Sequence, residues 1–197
     1  MTYTARYIIP TTQKQWNIIA LASTPTDPIG YAGAVYYPDH DVVAASDRFL
    51  VAAFVRDGDV PTGLLTHELG TVIAIPRDVI AWVKRELVGT RNNKCDLVLE
   101  IDDEAGTMTA SVGLNVGAPS FTHQLEVAKA PGLLSLVVPA DPDADIGSNL
   151  GFTAKTFKKL TAMTQGEMLF IHATDGRSLR TDLHDTAICF TRANRQS

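Results

Sequence analysis

Residues 70–114, GTVIAIPRDVIAWVKRELVGTRNNKCDLVLEIDDEAGTMTASVGL, hold a strand, a helix and a hairpin in that order. Gly70–Ile75 is short, apolar and rich in β-branched residues, as a strand is. Pro76 suits a first helical turn, Val79, Ile80, Val83 and Leu87 form one stripe, and Gly89 is a stop, so a helix is expected over Pro76–Val88. Asp96–Asp102 and Thr107–Leu114 flank the turn DDEAG, and Ser120–Val127 adds a further strand. A single helix set between antiparallel hairpins excludes the parallel βαβ crossover.

The same order recurs on both sides. Upstream, a helix is expected over Thr11–Ala22, with Thr11 or Thr12 as N-cap, Trp16, Ile19 and Ala20 on one face, and Pro25 and Pro28 as stops. Strands Tyr31–Tyr37, Val42–Ser46 and Phe49–Arg56 follow, the first two joined by the turn PDHD. Downstream, a strand is expected over Leu133–Val138. A helix follows over Thr153–Met163, with Thr153 as N-cap and Ala154, Phe157, Leu160 and Thr161 on one face. Strands Met168–Ala173, Ser178–Leu183 and Ala187–Arg192 come last. The order strand, helix, three strands thus repeats over residues 3–56, 69–127 and 133–192, a period of about 60 residues. The expected fold class is α+β, made of repeated βαβββ half-units with antiparallel sheets and single helices on one face. A generic α+β sandwich is the alternative. Pro139–Ser148, acidic and rich in Pro and Asp, is the candidate linker.

Composition bounds the class. Of 197 residues, 45% are apolar and 20% charged, which suits a globular chain and excludes a disordered one. The two cysteines, Cys95 and Cys189, lie in the apolar runs CDLVLEI and AICF and read as small buried hydrophobes of a reducing compartment. The N-terminus has no leader-like apolar region, and no stretch reaches the ~20 apolar residues of a membrane span. A cytoplasmic protein, possible also as a phage product in a bacterial cytoplasm, is the expectation.

The net charge of −5 is unevenly spread. The three helical stretches carry seven basic residues, Lys14, Arg77, Lys84, Arg85, Lys155, Lys158 and Lys159, against two acidic ones, Asp78 and Glu86, a net +5. The remainder carries ten basic and twenty acidic residues, a net −10. Helices gathered on one face would attract phosphates while the exterior repels them. The bland alternative is that Lys and Arg late in a helix complement its dipole.

Catalytic signatures are sparse. His40, His67, His123, His172 and His184 are scattered without metal-site spacing, and neither cysteine has a nearby partner. His172 with Asp175, and His184 with Asp182 and Asp185, fit hairpin turns better than a metal centre. Asp102, Asp103 and Glu104 read as an exposed turn before a nuclease site. Trp16 and Trp82 sit on apolar helix faces and read as core. No P-loop, nucleophile elbow or dinucleotide fingerprint occurs. No cofactor and no metal are expected.

A family resemblance rests on short motifs. PIGYAGAVYYPDHDVVAASDRFLVAAF resembles the opening of a bacterial DNA-polymerase β sliding-clamp domain at Pro28–Ile29, Ala34–Tyr37, Asp39–Asp41 and Ala45–Ser46–Asp47–Arg48. Ile75–Pro76–Arg77 resembles that domain's second helix entry, with Leu97–Leu114 and Phe121–Val127 completing it. SNLGFTAKTFKKLTAM resembles a further half-unit through Gly151, Phe152 and Thr153. The chain departs from the family in having room for three half-units, and in ending CFTRANRQS where the family has a Met-Pro-type strand beside its partner-peptide pocket.

The resemblance implies a clamp-like domain over 1–128 and an additional half-unit over 129–197. It also implies a non-catalytic protein that oligomerises around duplex DNA as a processivity or tethering factor and meets a polymerase or another replication protein. The seven basic helix residues are the expected DNA contacts. The rival from another class is a protein-interaction module with an apolar groove around Leu150–Phe152 and Ile188–Phe190. An enzyme built on Asp102–Glu104 or His172 ranks last.

Overall fold

The computed structural model describes residues 4–23, 33–47, 49–56, 58–64, 68–88, 93–115, 117–125, 132–141, 153–164, 166–174 and 178–191. Strand β1 (Thr4–Thr11) leads into helix α1 (Gln13–Ala22), and strands β2 (Gly33–Tyr37), β3 (Val42–Ser46) and β4 (Leu50–Val55) follow. The second half-unit has strand β5 (Ile73–Pro76), helix α2 (Arg77–Glu86) and strands β6 (Cys95–Asp102), β7 (Thr107–Val112) and β8 (Ser120–Gln124). The third has helix α3 (Ala154–Thr164) and strands β9 (His172–Ala173), β10 (Ser178–Leu183) and β11 (Thr186–Thr191).

Two antiparallel sheets result, one ordered β1-β6-β7-β8 and the other β5-β2-β3-β4-β11-β10-β9. The first two half-units exchange their leading strands. β1 pairs with β6 from Thr4↔Asp102 to Thr11↔Cys95, and β5 pairs with β2 from Gly33↔Pro76 to Tyr36↔Ile73. The third half-unit extends the sheet of the first through β4–β11, register Thr186↔Phe54 to Phe190↔Leu50.

Local chemistry sets the helices. Thr12 caps α1 in a capping box: its hydroxyl accepts from the Gln15 amide, and the Gln15 side chain takes the Thr12 amide at 2.9 Å. Pro76 is the N-cap residue of α2, one place earlier than a first-turn proline. Thr153 caps α3, its hydroxyl accepting from the Thr156 amide at 3.1 Å. α1 lies between α2 and α3, so the three helices form one layer. Trp16, Ile19, Val79, Ile80, Val83 and Leu87 pack beneath it with Leu97, Leu99 and Phe54 of the sheets.

Three expectations fail. Leu133–Val138 is not a strand; Leu133–Leu136 forms a 3-10 turn on the far face of the seven-stranded sheet. There Leu133, Leu134 and Val137 join Val35, Tyr37, Val42, Val51 and Val55 in a second apolar layer. The third helix also turns a different face inward. Thr156, Leu160, Met163 and Thr164 are buried, whereas Phe157 is 61% exposed and Ala154 and Thr161 face solvent. The strand expected from Met168 shrinks to His172–Ala173. Pro28–Ile29, Arg48, Gly89, Leu150–Phe152 and Asp175 lie outside the described residues.

Gly70 joins the half-units. Its φ is +60°, and the Asp39 carboxylate occupies the place of a Cβ while accepting from the Thr71 amide at 2.8 Å. No helix among the described residues is long and apolar enough to cross a membrane.

Candidate nucleic-acid interface

The helix layer carries all seven basic residues singled out in the sequence, and packing divides them. On α2, burial of Val79, Ile80, Trp82 and Val83 turns Arg77, Lys84 and Arg85 to solvent. Arg85 Nε lies 3.1 Å from Glu86 Oε1, on its own helix. On α3, Lys155 and Lys158 are exposed, and the Lys155 ammonium sits 5.8 Å above the Phe49 ring.

Lys14 and Lys159 are engaged internally. Lys159 reaches across to Asp47, which is 5% exposed and also accepts the amides of Phe49 and Leu50 at 3.1 and 3.0 Å. A buried carboxylate needs such partners, because desolvation without them costs several kcal/mol. Lys14 donates to Glu167 at 2.8 Å, and the other Glu167 oxygen lies 3.3 Å from His184 Nε2. The Lys14 hydrogen bond holds the Glu167 carboxyl below its ordinary range. Burial, aided by Lys14, holds His184 below its ordinary value. These two links tie the first half-unit to the third.

The other polar candidates have structural roles. Asp102 accepts the Ala105 amide at 2.9 Å and closes its turn. His184 and Asp185 both take left-handed backbone, φ +51° and +55°, in the tight β10–β11 turn. Among the described residues no three His, Cys, Asp or Glu side chains converge as metal ligands would. Trp16 is fully buried and Trp82 7% exposed, so neither offers a stacking face. Cys189 is buried, which raises its thiol pKa, and Cys95 is half-buried.

A second feature lies where the first and third half-units join. A recess of about 70 Å³ is lined by Phe49, Leu50, Leu136, Cys189 and Phe190 with Ser46, Val51 and Ser178. Phe49 and Leu136 stand about half exposed at its rim. Of the groove foreseen from sequence, Phe190 lines this recess, whereas Ile188 is fully buried in the core. The sequence hid Leu136, because its run read as a strand.

No family model and no curated protein sequence matches the chain. Solved structures do. The DNA polymerase sliding clamp of Pseudomonas aeruginosa, with a ligand, superposes at TM-score 0.63 and 14% identity over 96% of this chain and 66% of its own. The Borrelia burgdorferi DNA polymerase III subunit beta, in complex with a natural product, gives 0.60 and 10% over 98% and 64%. The sliding clamp of Bartonella birtlesii bound to griselimycin gives 0.53 and 13% over 98% and 66%. The chain has the fold of these proteins and spans a little less than two thirds of their length.

Proposed function

We propose that a chain with the sliding-clamp fold and basic side chains on its helix layer is a non-catalytic, clamp-like DNA-binding protein. It would oligomerise around duplex DNA as a processivity or tethering factor of replication, in a cytoplasm and possible as a phage product. The observation that supports this most is the solvent exposure of Arg77, Lys84 and Arg85 on α2 and of Lys158 on α3, the two helices that flank α1 in the layer. Such side chains meet backbone phosphates as point charges and give affinity without base readout. Lys14, Lys155 and Lys159 belong to the same face and add field there, although each already has a partner within the chain. The acidic excess elsewhere keeps the duplex on that face. Division at residue 128 into a two-half-unit domain and an added half-unit is part of the proposal.

The test is duplex binding by fluorescence anisotropy across a salt series. The triple variant Lys84→Glu, Arg85→Glu, Lys158→Glu should weaken binding at least tenfold at about 0.1 M salt and flatten the salt slope by about one unit per lost contact. Binding unchanged in that variant, with an unchanged melting temperature, would remove the helix face as the site.

The recess at Phe49 and Leu136 favours a second reading, a protein-interaction module. Half-exposed apolar side chains around a concavity suit a short apolar peptide from a replication or host protein. Phe49→Ala with Leu136→Ala should then abolish partner capture and spare DNA binding.

A further inference from the structure

The first two half-units are built alike at one end of their sheets and differ in what fills that end. In the first, Tyr36 pairs with Val43 and Val42 with Val55; in the second, Ile101 pairs with Met108 and Thr107 with Gln124. The turns 38–41 and 103–106 are equal in length. Both end on a left-handed residue, Asp41 at φ +53° and Gly106 at φ +63°. Ile101, Gly106 and Leu125 therefore hold the places of Tyr36, Asp41 and Arg56.

In the first half-unit those side chains form a plug. The Tyr36 hydroxyl donates to Asp41 at 2.9 Å, and Tyr7 of β1 meets the Tyr36 ring edge-on at 5.8 Å. Arg56 lies 3.7 Å from the same carboxylate and donates to the Ile8 carbonyl of β1 at 3.2 Å. The second half-unit has an isoleucine, a glycine and a leucine at these places, and a cleft of about 410 Å³ opens there. Ile101, Met108, Leu125, Tyr7 of β1 and Ile73 of β5 stand on its walls. Met108 is fully buried and Ile73 and Ile101 nearly so, which makes the floor apolar and preformed. Asp103 and Thr71 are exposed at the rim, and the Thr71 amide is held by the Asp39 carboxylate at 2.8 Å. Among the described residues Asp103 is the only charged side chain on the walls.

We infer that this cleft binds a small aromatic amine, its ring among Met108, Ile73 and Tyr7 and its ammonium at Asp103. The plug of the first half-unit argues for that chemistry, since a ring and a cation side by side fill the matching places there. Only the carboxylate differs, standing on the first residue of the turn rather than the last. An anionic ligand would meet Asp103 as a like charge. The volume, about 410 Å³, lies at the small end for ligand sites and suits a molecule below drug size. Because the walls come from both exchanged strands, an occupant fastens the first two half-units together and stabilises the fold by mass action. The site is apart from the helix layer, so amine binding and DNA affinity stand or fall separately.

The experiment is a titration of the full chain, its Met, Ile and Leu methyl groups labelled for NMR, with phenethylamine, phenylpropanoate and butylamine. Phenethylamine should shift the Met108, Ile73 and Ile101 methyl signals and saturate at about 1 mM or below, as expected of so few heavy atoms. Phenylpropanoate should bind at least about fivefold more weakly, and butylamine, which lacks the ring, should not saturate. Ile101→Tyr with Leu125→Arg rebuilds the plug; it should abolish the phenethylamine shifts and raise the melting temperature. Should that variant not fold, Asp103→Asn decides, because the exposed substitution leaves the core intact. It should remove the advantage of phenethylamine over phenylpropanoate. No saturation below about 10 mM, equal binding of the amine and the acid by wild type, an advantage that survives Asp103→Asn, or unchanged binding in the folded plug variant would each overturn the inference.

Discussion

The two sheets differ in how many faces they bury. In the four-stranded sheet, β6 runs CDLVLEID, with Leu97, Leu99 and Ile101 inward; on its other face Val98 is covered, but Glu100 is half exposed beside Arg6. In the seven-stranded sheet, GAVYY and LVAAFV are buried at every position. One set of those side chains meets the helices; the other meets residues 133–137. The strap continues past the turn, its Val138 carbonyl accepting from Arg180 at 3.2 Å and the Asp141 amide donating to the Ala173 carbonyl at 2.9 Å. Unbroken apolar strands thus announce a middle layer, and alternating strands announce a sheet with one wet face.

That contrast can be broken most forcefully at the strap. Leu134→Ala should cost about 2–4 kcal/mol, as an interior truncation does. Chemical denaturation measures it, and a loss below about 0.5 kcal/mol would reduce the strap to a loose covering. Next comes Asp47, the buried carboxylate at the β3–β4 corner. Asp47→Ala should cost about 2–3 kcal/mol by leaving two amides and Lys159 without their acceptor. The same measurement on Lys159→Met should recover part of that loss in the double variant, and strict additivity would show that the pair is not coupled.

Alkaline titration sharpens the contrast further. Burial pushes the Tyr37 hydroxyl up to about 12, and burial with the Asp41 contact pushes Tyr36 higher still. Both folded values exceed the unfolded value of about 10, so the native state holds protons that the unfolded chain has lost. Stability is therefore fully present below pH 10 and falls as pH rises from about 10 towards 12. Tyr37→Phe should flatten that fall. It should also cost about 1 kcal/mol at neutral pH, since Tyr37 Oη accepts the Leu133 amide at 2.7 Å. Thermal melts at pH 7 and at pH 11 read both effects, and an equal fall in the variant would assign the alkaline loss elsewhere. The smallest effect belongs to the wet face: Glu100→Ala, which breaks the half-exposed 3.5 Å contact with Arg6, should change stability by less than about 0.5 kcal/mol. A larger loss there would mean that this face is covered too.

The half-unit order was legible because strand and helix periods alternate cleanly around residues such as Val79, Val83 and Leu97. Two elements were not. LLSLVV has strand composition, but among the described residues it joins neither sheet, and the apolar far side of β2–β4 takes it instead. On α3, Thr156 and Thr164 counted as polar, yet they bury by satisfying their hydroxyls locally, with Thr153 at 2.9 Å and with the Thr161 carbonyl at 2.9 Å. That rotates Phe157 outward. At the candidate interface the positive charges were visible, whereas the partners of Lys14 and Lys159 lie 153 and 112 residues away and no local pattern reveals them. The hairpin turn at His184 and Asp185 was legible from the strands on either side, although its left-handed pair lacks the usual Asn-Gly signal.

The exchange of β1 and β5 makes each of the first two half-units incomplete without the other. Cleavage of the chain near residue 60 would yield two pieces, each lacking the strand that the other holds. Mixed together they should recombine, and the pair could serve as a split reporter whose reassembly reads out whatever brings the two pieces close.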